Sequence, residues 1–168
     1  KVQILFEPPK EPLWPVWVDA GQSLHALMNL CLNARDAMPG GGQLSFELAN
    51  RTFTAGEARP PRRAGDFVRI SVCDTGAGRT PEVLARLLEA NDATSAAGEA
   101  AQVVLSVAQQ VVLAQGGWME AESEPGRGSR FHVFLPRAVS STVARGTPAV
   151  PGVGAGPGIE GKETILVV

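Results

Sequence analysis

Leu24-His25-Ala26-Leu27-Met28-Asn29-Leu30-Cys31-Leu32-Asn33-Ala34-Arg35-Asp36-Ala37-Met38, followed at once by Pro39-Gly40-Gly41-Gly42, is the most strongly patterned run in a chain of 168 residues. Leu24, Leu27, Met28, Cys31 and Leu32 recur at three- and four-residue steps, the helical period, and the proline and glycines stop the pattern abruptly. On the same helix His25, Asn29, Asn33 and Asp36 stand four, four and three residues apart, so they project from nearly one direction. A carboxamide oxygen is a hard, uncharged ligand that suits Mg²⁺ when nucleotide phosphates supply the rest of the octahedron, which makes Asn33 a candidate ligand. The competing reading of the stripe is the solvated face of an amphipathic helix.

Residues 43–50 and 66–73 alternate apolar and polar side chains and predict two strands, with the polar, basic segment 51–65 as a long hairpin loop between them. Residues 2–6 and 16–18 are short apolar runs punctuated by Pro8, Pro9, Pro12 and Pro15, and predict two brief strands. A short helix is expected over 81–89, a longer one over 102–115 ended by Gly116-Gly117, and a closing hairpin from 118–123 and 129–135. Helices and strands alternate without the regular units of a doubly wound parallel sheet, so the expected fold is an α/β sandwich with a mixed sheet. Directly after the second long strand comes Asp74-Thr75-Gly76-Ala77-Gly78. A carboxylate fixed at a strand end can accept an exocyclic amine such as that of adenine, and the glycines let backbone approach a ligand. The same residues are also ordinary turn formers.

Composition narrows the classes. With 15 Lys+Arg against 17 Asp+Glu there is no field to draw nucleic acid or anionic lipid, and 44% hydrophobic residues suffice for a core. No stretch approaches a membrane span and none reads as a signal peptide, so no membrane contact is expected of this segment. Cys31 and Cys73 have no partners at metal-ligand spacing, which predicts neither a disulfide framework nor a zinc site and suits a reducing, cytoplasmic setting. Both cysteines, and Trp14, Trp17 and Trp118, are expected to be packing residues. Arg51, Arg59, Arg62 and Arg63 are expected at a solvated hairpin tip, with contact to a partner domain as the other reading. Gly and Pro dominate residues 146–161, which read as linker, and an apolar run, 162–168, follows.

The segments Asn29 through Met38, Asp74 through Gly78 with Pro81-Glu82-Val83, and Gly116-Gly117 through Glu122-Ser123-Glu124-Pro125-Gly126-Arg127-Gly128-Ser129-Arg130-Phe131 together resemble three motifs of one family. They look like the N box, the first glycine box and the closing hairpin of the ATP-binding catalytic domain of sensor histidine kinases, a branch of the gyrase-, Hsp90- and MutL-like ATPases. The resemblance covers residues 1–137. It implies a mostly antiparallel mixed sheet with about three helices on one face, and ATP and Mg²⁺ as ligands. It implies Asn33 as the Mg²⁺ ligand, Asn29 as the residue that orients or activates the attacking histidine, and Asp74 as acceptor of the adenine amine. Ser129 would supply a hydroxyl beside that contact, Gly76 and Gly78 would let the loop pass close to the base, and Arg35 and Asp36 would lie near phosphates or ribose. The phosphate acceptor would be a histidine on a separate helical hairpin, expected upstream. His25 and His132 lack the His-Asp/Glu setting with a downstream proline that such acceptors show. Residues 161–168 resemble the entry to a receiver domain, which implies a hybrid kinase with residues 138–161 as linker and a receiver downstream or in trans.

One motif of that family departs. Counting back from Gly116-Gly117, its second glycine box falls on Ala100-Ala101-Gln102-Val103-Val104-Leu105, where no glycine remains. Glycine-rich phosphate loops turn successive backbone N–H groups toward phosphates, often at positive φ, which a β-branched valine reaches only at a cost of about 1–3 kcal/mol. From Leu87 to Gly126 there is also no Lys or Arg, while Glu89, Asp92, Glu99, Glu120, Glu122 and Glu124 are present. Weakened ATP binding is therefore expected, with residues 90–101 mobile without ligand and Arg79 or Arg86 as the cations that could compensate. The alternative is a non-catalytic module that keeps the fold to dock on the helical hairpin or a receiver.

Overall fold

The first helix, α1 (Ala20–Asp36), starts where the side chain of Asp19 accepts from the backbone N–H of Gln22 at 2.8 Å. It stops where Met38 and Gly41 close turns on the carbonyls of Arg35 and Met38, ahead of the glycines. Around it, in the computed structural model, which describes residues 1–89, 99–138 and 164–165, the remaining elements are β1 (Val2–Glu7), β2 (Val16–Trp17), β3 (Gly42–Phe53), β4 (Gly65–Asp74), α2 (Pro81–Glu89), α3 (Glu99–Ala114), β5 (Trp118–Glu124), β6 (Gly128–Pro136) and β7 (Thr164–Ile165). Five strands form one sheet in the order β1-β3-β4-β6-β5; β1 runs parallel to β3 and every other pair is antiparallel. The expected mixed, mostly antiparallel sandwich is what forms. β7 pairs with β2, so two residues of the run read as entry to a further domain lie against this one. The rest of that run, and residues 139–161 of the expected linker, lie outside the described residues.

Alternation decides the two faces of the sheet. Val68 and Val72 of β4, Phe131, Val133 and Leu135 of β6 and Met119 of β5 face the helices and pack with Leu30 of α1, Leu84 and Leu87 of α2, and Leu105, Ala108 and Val112 of α3. α1 turns Ala26, Leu30, Asn33 and Ala34 inward, whereas Leu24 and Met28 are 60% and 49% exposed. The periodic leucines thus mark a helix but not its whole buried face, because small alanines let α3 come close. Trp17, expected to pack, is 54% exposed, whereas Cys73 and Trp118 are buried and Trp14 and Cys31, both half-buried, pack against the core.

The opposite face carries its own small core. Phe53, Phe67, Trp118 and Phe134 cluster there, with Trp118 and Phe134 stacked at 4.8 Å and Phe67 edge-on to Trp118 at 4.5 Å. Arg62, read as part of a solvated loop tip, instead folds back over the Phe53 ring and donates twice to Glu120, at 2.9 and 2.7 Å. Glu120 also accepts from Trp118 Nε1 at 2.9 Å. Burial pushes the Glu120 carboxyl up, but the Arg62 and Trp118 hydrogen bonds outweigh it and hold the group below its ordinary value. A depressed carboxylate contributes stability above its unfolded pKa and loses it as pH falls through the folded value. Because the pair is partly solvated, Glu120→Gln is expected to cost about 1 kcal/mol at neutral pH. Thermal melts at stepped pH should show the variant's deficit shrinking below about pH 4; a deficit that stays constant would rule out the charge as its source. Nearby, His132 is buried and its Nδ1 lies 2.8 Å from Ser71 Oγ. Burial, helped by the charge of Arg69, pushes the imidazole below its ordinary pKa, which keeps it neutral and structural.

Candidate functional site

Three pieces of chain meet at one end of the sheet, on the helix side. β4 ends in Asp74; the loop after it is pinned by Ala77 N–H to the Ala37 carbonyl at the end of α1 (3.1 Å) and by Gly126 N–H to the Ala77 carbonyl (2.7 Å); the β5–β6 hairpin closes over it. Two glycines make that crossing possible. Gly78 has φ +65° and a Cβ there would overlap the Glu124 carbonyl, while Gly128 has φ +101° and a Cβ there would overlap the Asp74 carbonyl.

Asp74 is 6% exposed. Its Oδ1 accepts from the N–H groups of Gly76 (2.8 Å) and Ser129 (3.2 Å), but its Oδ2 is buried with no hydrogen-bond partner among the described residues. Burial holds this carboxyl above its ordinary pKa, with the two N–H groups and the Arg79 charge opposing. A buried acceptor left open is costly, and a ligand that brings a donor would satisfy it. The Ser129 hydroxyl lies 3.0 Å from that of Ser123, which also accepts from the Arg79 N–H at 2.7 Å and donates to the Gly128 carbonyl at 3.0 Å. Since Ser123 has one proton and gives it to Gly128, Ser129 is the donor of the serine pair. An open cleft of about 480 Å³ runs along the hairpin on the sheet face away from the helices, past Cys73, Glu122 and Arg130 to Asp74 and Ser129; Asn33 and Arg79 do not line it.

On α1 the polar stripe is not uniformly solvated. Asn33 is 3% exposed, Asn29 is half-buried, and His25 and Asp36 are exposed, Asp36 in a solvent-exposed pair with Arg35 at 2.8 Å. The Asn33 Oδ1, the atom expected to hold a metal, instead accepts from Arg79 Nη2 at 2.8 Å, and Asn33 Nδ2 is buried without a partner among the described residues. Arg79 Nη1 is likewise buried and unpartnered among them. Burial lowers the guanidinium pKa and Asp74 opposes that shift. As placed, the residues do not fit Mg²⁺.

The structure therefore brings Asn33, Asp74, Gly76, Gly78 and Ser129 together, leaves Asp36 at the surface, and puts Asn29 one turn before Asn33. Sequence reasoning missed the contact of Arg79 with Asn33, the clamping role of Ser123 and the need for glycine at 128. The only sequence signal for Arg79 is a cation directly after the glycine loop. Ala100–Leu105 lie within α3, which starts three residues before its predicted position and continues through Val104 without a glycine turn. The expectation of mobility over 90–101 falls mainly on residues 90–98, outside the described residues, as does the side chain of Arg86.

A mixed sheet roofed by three helices, with a buried strand-end carboxylate left open, fits an ATPase domain of the histidine-kinase type. Residues 19–139 match the model of the histidine kinase-, DNA gyrase B- and HSP90-like ATPase family, and the chain belongs to that family. Among curated proteins it is similar to the sensor kinase CckA of Brucella abortus, 34% identical over 93% of this chain and 17% of that protein, and to the sensor histidine kinase ZraS of Klebsiella oxytoca, 32% identical over 72% and 23%. The chain thus spans about a fifth of the length of these relatives. Among solved structures, full-length ShkA in complex with AMPPNP superposes with a TM-score of 0.58 at 26% identity, covering 83% of this chain and 26% of ShkA. The nucleotide-free catalytic domain of the histidine kinase ThkA shares the fold, with a TM-score of 0.58 at 20% identity over 81% of this chain and 80% of that one. No described helix is long and apolar enough to cross a membrane.

Proposed function

We propose that this domain binds ATP and, within a longer sensor histidine kinase, presents its γ-phosphoryl to a histidine on a separate helical hairpin. The observation that carries the reading is the open Oδ2 of Asp74: an acceptor on a carboxylate whose other oxygen, Oδ1, is held by two backbone N–H groups, left free for an amine donor such as that of adenine. Ser129 lines that contact, Gly76 and Gly78 let the loop pass close to the Ala37 and Glu124 carbonyls, and Asn29, half-buried one turn before Asn33, would orient or activate the attacking histidine. Asp36 lies further out, toward a ribose or phosphate. Affinity is weak, because α3 replaces a glycine loop at Ala100–Leu105 and no cation lies between Leu87 and Gly126. Residues 138–161 serve as linker and the run that follows leads toward a receiver domain, in the hybrid arrangement.

The uninterrupted α3 favours a second reading, a non-catalytic module that docks on the hairpin or a receiver. Calorimetric titration of the chain with non-hydrolysable ATP and GTP analogues separates the two. Saturable heat with the adenine nucleotide and little with the guanine one supports the ATP-binding reading. No heat up to millimolar nucleotide supports the docking module.

A further inference from the structure

We propose that Arg79 takes the place of the metal ion in this site, so that nucleotide binding is independent of Mg²⁺. The inference rests on the ATP-binding reading above and adds to it the identity of the phosphate counter-charge. Arg79 Nη2 sits 2.8 Å from Asn33 Oδ1, the oxygen that a Mg²⁺ ion would need at about 2.1 Å. Two cations would then share one neutral oxygen in a half-buried setting, where like charges repel more strongly than in water. The guanidinium is not a stray surface group. Its own backbone N–H is held by Ser123 Oγ at 2.7 Å, and Ser123 is tied in turn to Gly128 and Ser129, so the cation is anchored to the strand end that carries the Asp74 contact.

What the cluster lacks is an acceptor. Arg79 Nη1 and Asn33 Nδ2 belong to the two side chains joined by that 2.8 Å bond; both are buried, and both are unpartnered among the described residues. Unpaired buried N–H donors on a guanidinium and a neighbouring carboxamide form a receptor for an anionic oxygen, and Arg is suited to phosphate by its planar fork. The described residues provide one carboxylate close enough to act on the Arg79 charge, that of Asp74, whose own free oxygen awaits a donor. A nucleotide carries the complementary groups: an amine to offer Asp74 and phosphate oxygens to offer Arg79 and Asn33. The chain thereby keeps a positive charge at the phosphates although the segment from Leu87 to Gly126 has none.

The test is calorimetry of the chain with ATP and with adenosine, each in excess Mg²⁺ and in EDTA, for the parent, Arg79→Met and Arg79→Lys. Removing a charge-assisted contact to phosphate is expected to weaken ATP binding in EDTA by about 10- to 100-fold in Arg79→Met, with Arg79→Lys intermediate because it keeps the charge but not the fork. The parent's ATP affinity should differ by less than about threefold between the two buffers, since its cation is built in. Adenosine, which has no phosphate, should lose far less affinity than ATP on the same substitutions, a selectivity that general misfolding of the variant would not give. An ATP affinity that collapses on chelation in the parent, or that rises when Arg79 becomes Met, overturns the proposal and leaves the ATP reading standing. Absence of binding by ATP and adenosine in every buffer overturns both.

Discussion

Asp74→Asn is expected to weaken binding of an ATP analogue by about 100-fold or more while leaving the melting temperature at neutral pH unchanged or slightly raised. The two halves of that expectation come from the two oxygens of one side chain. Oδ1 is structural: it accepts from Gly76 and Ser129, and an asparagine carbonyl can accept the same two bonds. Oδ2 is open, and the amide NH₂ that replaces it would point a donor at a ligand's donor. Stability follows the other way because burial holds this carboxyl above its ordinary pKa. A raised carboxyl favours the folded state below the unfolded pKa and loses that contribution as pH rises through the folded value, so at neutral pH the buried charge is a burden that asparagine removes. The same direction implies that nucleotide affinity falls on acidification at a higher pH than an ordinary aspartate would give. Titration calorimetry and thermal melts on the pair of proteins check both halves; unchanged affinity would remove Asp74 from the site.

Local pattern carried the elements, and long-range contact decided the details that matter for the site. The stop of α1 at Pro39-Gly40-Gly41 and the alternation along β3 and β4 are written in neighbouring residues, so the helix and strands fall within a few positions of their predicted bounds. The parallel pairing of β1 with β3 is not, because a short apolar strand carries no label for its partner. Nor could the sequence show that Arg62 would leave its loop for Glu120, 58 positions away, or that Trp17 would stay half in solvent. The site repeats the lesson at higher stakes. Asp74 and its glycines were recognisable as a strand-end motif, but the fate of Asn33 depended on a residue 46 positions along the chain. A carboxamide on a helix reads as a metal ligand only until the charge opposite it is known. Arg79 supplies that charge, and no periodicity points to it.

Gly128→Ala is expected to cost about 3 kcal/mol or more of folding stability and to abolish nucleotide binding, whereas Gly126→Ala, two residues earlier, should cost only about 1 kcal/mol. Both glycines have positive φ, +80° at Gly126 and +101° at Gly128, so both substitutions carry a backbone penalty. They differ in what a methyl group would meet. At Gly126 nothing lies within 4 Å, while at Gly128 the new Cβ would overlap the Asp74 carbonyl oxygen and press on Thr75 Cα. Backbone cannot rotate away as a side chain can, so β6 must draw back from the end of β4. That retreat stretches the Ser129 N–H bond to Asp74 Oδ1 and the Ser123 bond to the Gly128 carbonyl, which hold the open carboxylate and the Arg79 backbone in place. The comparison therefore isolates close approach from φ strain: denaturant unfolding of the two variants measures the difference, and calorimetry reads whether binding goes with it. If both variants lose the same stability and both still bind, the hairpin's contact with Asp74 is not what shapes the site. A large loss confined to Gly128→Ala would instead show that a strand end and a turn, brought within backbone contact by the absence of one methyl group, build the acceptor on which recognition depends.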